Sequence, residues 1–168
     1  MSAKKTAFYG MFLALALVAG YIEQLIPINL GIPGVKLGLA NIVTMLLLYI
    51  AGVPAACLIS MLRILLSGFL FGSGFAMVYS AAGAAMSMLV MVLLKRTKKF
   101  SSVGVSVAGG IFHNVGQIIV AMFVLETKAL AYYLPILILS GLVAGILIGI
   151  LSGILIKRLN PVIKQHFL

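Results

Sequence analysis

A few polar side chains stand isolated in an otherwise apolar chain: Glu23, Lys36, Asn41, Arg63, Tyr79, His113, Asn114 and Gln117. His113 and Gln117 are four residues apart, and Asn114 and Gln117 three, so on a helix all three share one face. An arginine and a lysine near such groups make a grip for carboxylate or phosphate, and arginine can hold either in bidentate fashion. Glu23 offsets part of that positive charge. A ligand with an anionic or strongly polar head on an apolar body would suit the set. Arg63 and Lys36 would grip the head, Asn41, His113, Asn114 and Gln117 would orient it, and Tyr79 would stack on it or hydrogen-bond to it. The alternative is a polar network that only locks helices together, with Arg63 paired to Glu23 and the amides satisfying backbone carbonyls.

The chemistry that is missing narrows the class. Both acids are glutamate, and there is no aspartate. Magnesium-dependent chemistry on prenyl diphosphates needs clustered carboxylate oxygens, which this chain cannot supply alone. No glycine-rich phosphate loop ending in Gly-Lys-Ser/Thr is present. His113 and His166 are too far apart in the sequence pattern to pair on haem or metal. The one cysteine, Cys57, excludes an internal disulfide and reads as a buried small hydrophobe. The expectation is no catalytic residue, no metal, no cofactor and no independent enzyme activity. Any energy input would come from a partner or a gradient.

What positions these side chains is membrane helix. The chain has 168 residues, 64% hydrophobic and 8% charged, against about 25% charged in soluble domains. Soluble folds of this size have too little interior for that much apolar surface. An all-α, polytopic bundle is expected, in one integral membrane domain over 1–168, with spans near 6–26, 35–51, 54–70, 75–94, 103–125 and 131–156. The run after Lys4 and Lys5 lacks a cleavage site and reads as a retained helix. The +10 net charge is clustered between apolar runs, which fits topology rather than nucleic acid.

Six spans put both termini on one side, together with Lys4, Lys5, Lys95, Arg96, Lys98, Lys99, Lys157, Arg158 and Lys164. The other side has Lys128, with Lys36 at a helix boundary. That asymmetry places both ends in the cytoplasm. It also puts nearly all the isolated polar residues in the outer half of the bilayer, from five different helices. A charge there is costly and marks a site more often than not. The expected site is a pocket opening outward under the loop from Pro27 to Gly34.

Small residues predict where helices touch. Gly141, Gly145, Gly149 and Gly153 draw a straight groove along the last helix, permitting close packing in lipid. Gly10, Ala14, Ala16, Ala19 and Gly20 form a second stripe on the first helix, for internal packing or for a partner subunit.

Three motifs in order carry a resemblance: Gly34-Val35-Lys36-Leu37-Gly38-Leu39-Ala40-Asn41; Arg63 followed by Ser67-Gly68-Phe69-Leu70-Phe71-Gly72-Ser73; and His113-Asn114-Val115-Gly116-Gln117. They resemble the small bacterial Gx transporter family, also called heptaprenyl diphosphate synthase component I. That family is similar to the substrate-binding S components of energy-coupling factor (ECF) transporters. The resemblance implies a bacterial cytoplasmic membrane protein holding a vitamin-like, isoprenoid or quinone ligand near the outer face. It implies docking on a coupling subunit through small residues of the first helix, here Gly10 and Ala14, with two ATPases powering the cycle. Two other assignments stay open: a membrane subunit of isoprenoid or quinone metabolism beside a soluble synthase, or a quinone-linked subunit serving an extracytoplasmic flavoprotein.

Overall fold

Lipid offers no hydrogen bonds to a backbone, so long apolar segments must satisfy theirs internally, as helices. The computed structural model describes residues 3–25 and 38–166. These form α1 (Ala3–Leu25), α2 (Leu39–Ile50), α3 (Val53–Phe71), α4 (Gly74–Thr97), α5 (Ser102–Val124) and α6 (Leu134–His166), with a 3-10 helix at Lys128–Tyr133 and no strand among the described residues. Five helices are long and apolar enough to cross a membrane, and α2, with 12 residues, is shorter. At its length α2 spans about 18 Å of a hydrocarbon layer about 30 Å thick. It starts at Leu39 rather than near 35, after Gly38, which is left-handed at φ 75°. Lys36 and the expected Pro27–Gly34 cap lie outside the described residues.

The helices close into a ring in the order α1, α2, α6, α5, α4, α3, with α3 returning to α1. Turn chemistry matches the sequence. The Ala51 and Gly52 amides both return to the Leu47 carbonyl at 2.9 Å, and Pro54 sits in the first turn of α3, where its missing donor costs nothing. Ser73 and Ser101 cap α4 and α5, each hydroxyl accepting an amide three residues on at 3.2 Å.

Beyond the start of α2, two further boundaries and one burial differ from the sequence reading. α4 continues to Thr97, so Lys95 is helical rather than in a loop. Its ammonium donates to the Leu48 carbonyl at the C-terminal end of α2 and stands 4.8 Å from the Tyr49 ring centre, where a cation complements the helix dipole. α6 does not stop near 156 but runs through Pro161 to His166. Ile163 is buried in the core and Leu159 packs against it, so apolar contact offsets the hydrogen bond that proline removes. Cys57 is exposed on α3 rather than buried.

The ring is filled unevenly. Phe8, Phe12, Met45, Leu47, Leu48, Val105 and Ile163 pack the half that holds both termini. The other half is ringed by exposed aromatics, among them Phe69, Phe123 and Tyr132, which suits a membrane interface.

The last helix packs through its glycines. A Cβ on Gly141 would meet the Gly110 carbonyl oxygen at 2.7 Å, one on Gly145 the Val107 Cα at 2.6 Å, one on Gly149 the Val103 Cα at 2.7 Å, and one on Gly153 the Ser102 hydroxyl at 3.0 Å. The backbones of α5 and α6 therefore touch from Gly141 to Gly149, and at Gly153 the stripe meets a side chain of α5 instead. By contrast, Gly10 meets nothing within 4 Å, and Ala14 is likewise exposed.

Candidate functional site

Inside the ring, in the half away from the termini, lies a cavity of ≈ 170 Å³ reached by all six helices. α1 contributes Glu23, α2 Asn41, α3 Arg63, and α5 His113, Asn114 and Gln117. α4 contributes Ser80 and α6 contributes Gly141. Helical register explains the convergence: Arg63 and Ser67 are one turn apart on α3, as are His113 and Gln117 on α5, so each pair faces the same way.

Arg63 is the most exposed to consequence. Its Nε is buried with no hydrogen-bond partner among the described residues. Glu23 attracts it across the cavity, but one Glu23 oxygen already accepts the Gly38 amide. A carboxylate at that position also complements the N-terminus of α2. The arrangement leaves one guanidinium N–H buried without a hydrogen bond in a residue that lines a polar cavity, a group that costs about 1–3 kcal/mol unless something binds it.

Asn114 has the opposite character. It is buried, and its side-chain amide donates to the Leu137 carbonyl at 2.6 Å and to the Ser140 hydroxyl at 3.5 Å. It ties α5 to α6 at the cavity wall. Asn114→Leu is expected to leave that carbonyl short of a donor and destabilise the bundle by about 1–3 kcal/mol, read as a lower midpoint of thermal unfolding in detergent.

Of the eight side chains expected at the site, six line the cavity: Glu23, Asn41, Arg63, His113, Asn114 and Gln117. Lys36 lies outside the described residues. Tyr79 is not on the wall. Ala76 and Ser80, four apart, point inward and line it, so Tyr79, about 100° away around the helix, instead stacks on Phe75 with ring centres 5.8 Å apart.

Sequence reasoning missed the glycines. Gly20, Gly38, Gly68, Gly72, Gly110 and Gly141 all line the cavity, so much of the wall is bare backbone. Gly83 makes room in the same way: a Cβ there would lie 2.7 Å from Gln117 Cγ and 2.9 Å from the His113 carbonyl. The available signal was the density of glycine beside each polar motif.

The arrangement can bind and orient a ligand with a polar head. Among the described residues no three of His, Cys, Asp or Glu come together as a metal site.

Comparison with known proteins agrees with the motif resemblance. Residues 12–155 match the family described as heptaprenyl diphosphate synthase component I. No curated protein and no solved structure matches the chain. With the match covering most of the sequence and five apolar helices of spanning length, the chain is a helical membrane protein belonging to the heptaprenyl diphosphate synthase component I family.

Proposed function

We propose that this protein is a membrane-embedded binding subunit, similar in role to an ECF S component, that holds a small ligand with an anionic or strongly polar head in the cavity around Arg63. One observation carries the reading: the Arg63 Nε is buried without a hydrogen-bond partner among the described residues, beside a cavity that seven other polar side chains also line. Arginine in such a place suits a carboxylate or phosphate. Asn41, His113 and Gln117 orient the head, and Glu23 holds the start of α2 in place. Both termini are cytoplasmic and the cavity faces the outer leaflet, a reading supported by the lysines and arginines gathered at the termini. The exposed face of α1, with Gly10 and Ala14, is left for a coupling subunit that brings ATPases.

The family description favours a second reading. A membrane component of a prenyl diphosphate synthase would hold the lipid diphosphate at Arg63, while a soluble partner supplies the carboxylates this chain lacks. Affinity purification from the native host in mild detergent separates the two. ATPases and a membrane coupling subunit support the first, and a soluble synthase the second. A flavoprotein in their place, or no partner at all, contradicts both. Native mass spectrometry of the same material tests the shared element, a bound small molecule, whose absence in every preparation would remove the case for a binding subunit.

A further inference from the structure

Outside the ring, an apolar groove of ≈ 610 Å³ runs between α3 and α4. Its lining is almost free of polar atoms and includes Met61, Leu65, Ala81 and Leu89. Ile64 and Met77 line both this groove and the polar cavity. The two spaces are therefore separated by a partition one side chain thick. Met77 closes it by lying over Gly68, where a Cβ would come within 2.0 Å of the Met77 Cγ. Methionine is unbranched and adapts its shape at little cost, so this partition is built from the side chain best able to move aside.

Size points the same way. The cavity alone, at ≈ 170 Å³, is below the roughly 300 Å³ at which ligand pockets begin. It takes a compact head but not an apolar body as well. The groove supplies the missing room, and from Met77 to Leu89 it extends about 18 Å along α4. Its floor is apolar, while the cavity beyond the partition holds the buried Arg63 Nε.

We infer that cavity and groove form one composite site for a single-chain amphiphile, whose anionic head sits at Arg63 and whose chain lies between α3 and α4. The ligand reaches the site sideways from the bilayer, through the seam that Met77 closes. This rests on the ligand chamber proposed above and adds the ligand's class and its route.

The test uses the full chain in phosphatidylcholine nanodiscs and two probes, hexadecyl phosphate and butyl phosphate. Ala81→Trp fills the groove from its lipid side, and Ala85→Phe fills it independently. Both residues are exposed, so the ring should fold around either, checked by thermal unfolding. Each variant is expected to weaken hexadecyl phosphate about tenfold or more while leaving butyl phosphate unchanged, and Arg63→Gln to weaken both. A hexadecyl phosphate with a diazirine at its chain end should label α4 between Val78 and Leu89, and should lose that labelling in Arg63→Gln. If both groove variants bind hexadecyl phosphate like the wild type while Arg63→Gln loses both probes, the groove inference is wrong and the chamber stands. If labelling is spread over all helices and unchanged by Arg63→Gln, the groove is ordinary lipid contact, which also overturns the inference. If Arg63→Gln binds both probes normally, the chamber itself fails.

Discussion

Arg63→Gln is expected to empty the cavity without unfolding the protein. Losing charge-assisted hydrogen bonds to a bound head costs about 1.5–3 kcal/mol, or about ten- to a hundredfold in affinity. The effect on stability runs the other way. The Nε of Arg63 has no hydrogen-bond partner among the described residues to strand, and a charge at this depth carries an insertion cost of about 2.5–3.5 kcal/mol, with desolvation outweighing the attraction of Glu23. Glutamine keeps polarity and removes that cost, so the thermal midpoint of the ligand-free protein should stay level or rise. A network that merely locks the bundle predicts a clear fall in the midpoint, since breaking a buried pair costs about 3–5 kcal/mol. Ligand retention by mass spectrometry and thermal unfolding on the same preparations decide between these.

The second large effect is expected at the α5–α6 contact. Gly145→Leu places a branched side chain where even a Cβ would lie 2.6 Å from the Val107 Cα and 3.0 Å from the Ser106 carbonyl. These are backbone atoms, which cannot swing aside. Gly145→Ala should cost about 1–3 kcal/mol by overpacking, and Gly145→Leu should prevent a monodisperse peak in size-exclusion chromatography. Gly10→Ala is the internal contrast. With nothing within 4 Å of its Cβ, it should leave the isolated subunit as stable as the wild type or slightly more so, because alanine is the better helix former by about 1 kcal/mol. A destabilised Gly10→Ala in the isolated chain would mean that the α1 face packs in a way this fold does not provide.

Much of this was legible in the sequence because lipid simplifies the problem. Apolar runs of spanning length and the breaks at Gly52–Pro54 and Phe71–Gly74 sufficed to set five of the helices in order. The α6 glycines announced a close contact, although their spacing did not say which helix they meet. Depth counted along each span placed Glu23, Asn41, Arg63 and His113 between the midplane and the outer surface, and the ring brings them to one cavity. Three things were not legible. Tyr79 misled because depth alone ignores azimuth, and Ser80 holds the inward position on α4. The last span looked as if it ended near 156, yet Leu159 and Ile163 hold α6 together across Pro161. Cys57 looked buried because its neighbours are apolar, but in a membrane an apolar side chain is as well placed facing lipid as facing the core.

The central claim is that polar side chains from separate helices share one hydrated chamber in the half of the bundle away from the termini. It is tested most directly by thiol accessibility in intact cells. In a Cys57→Ala background, Asn41→Cys and Ser67→Cys would each put a thiol on the cavity wall, and Val105→Cys one in the packed core. A charged, membrane-impermeant thiosulfonate added outside should modify the first two rapidly, more slowly once ligand is bound, and leave the third intact. Asn41→Cys and Ser67→Cys both staying unmodified, while the same proteins react once denatured, would contradict the account.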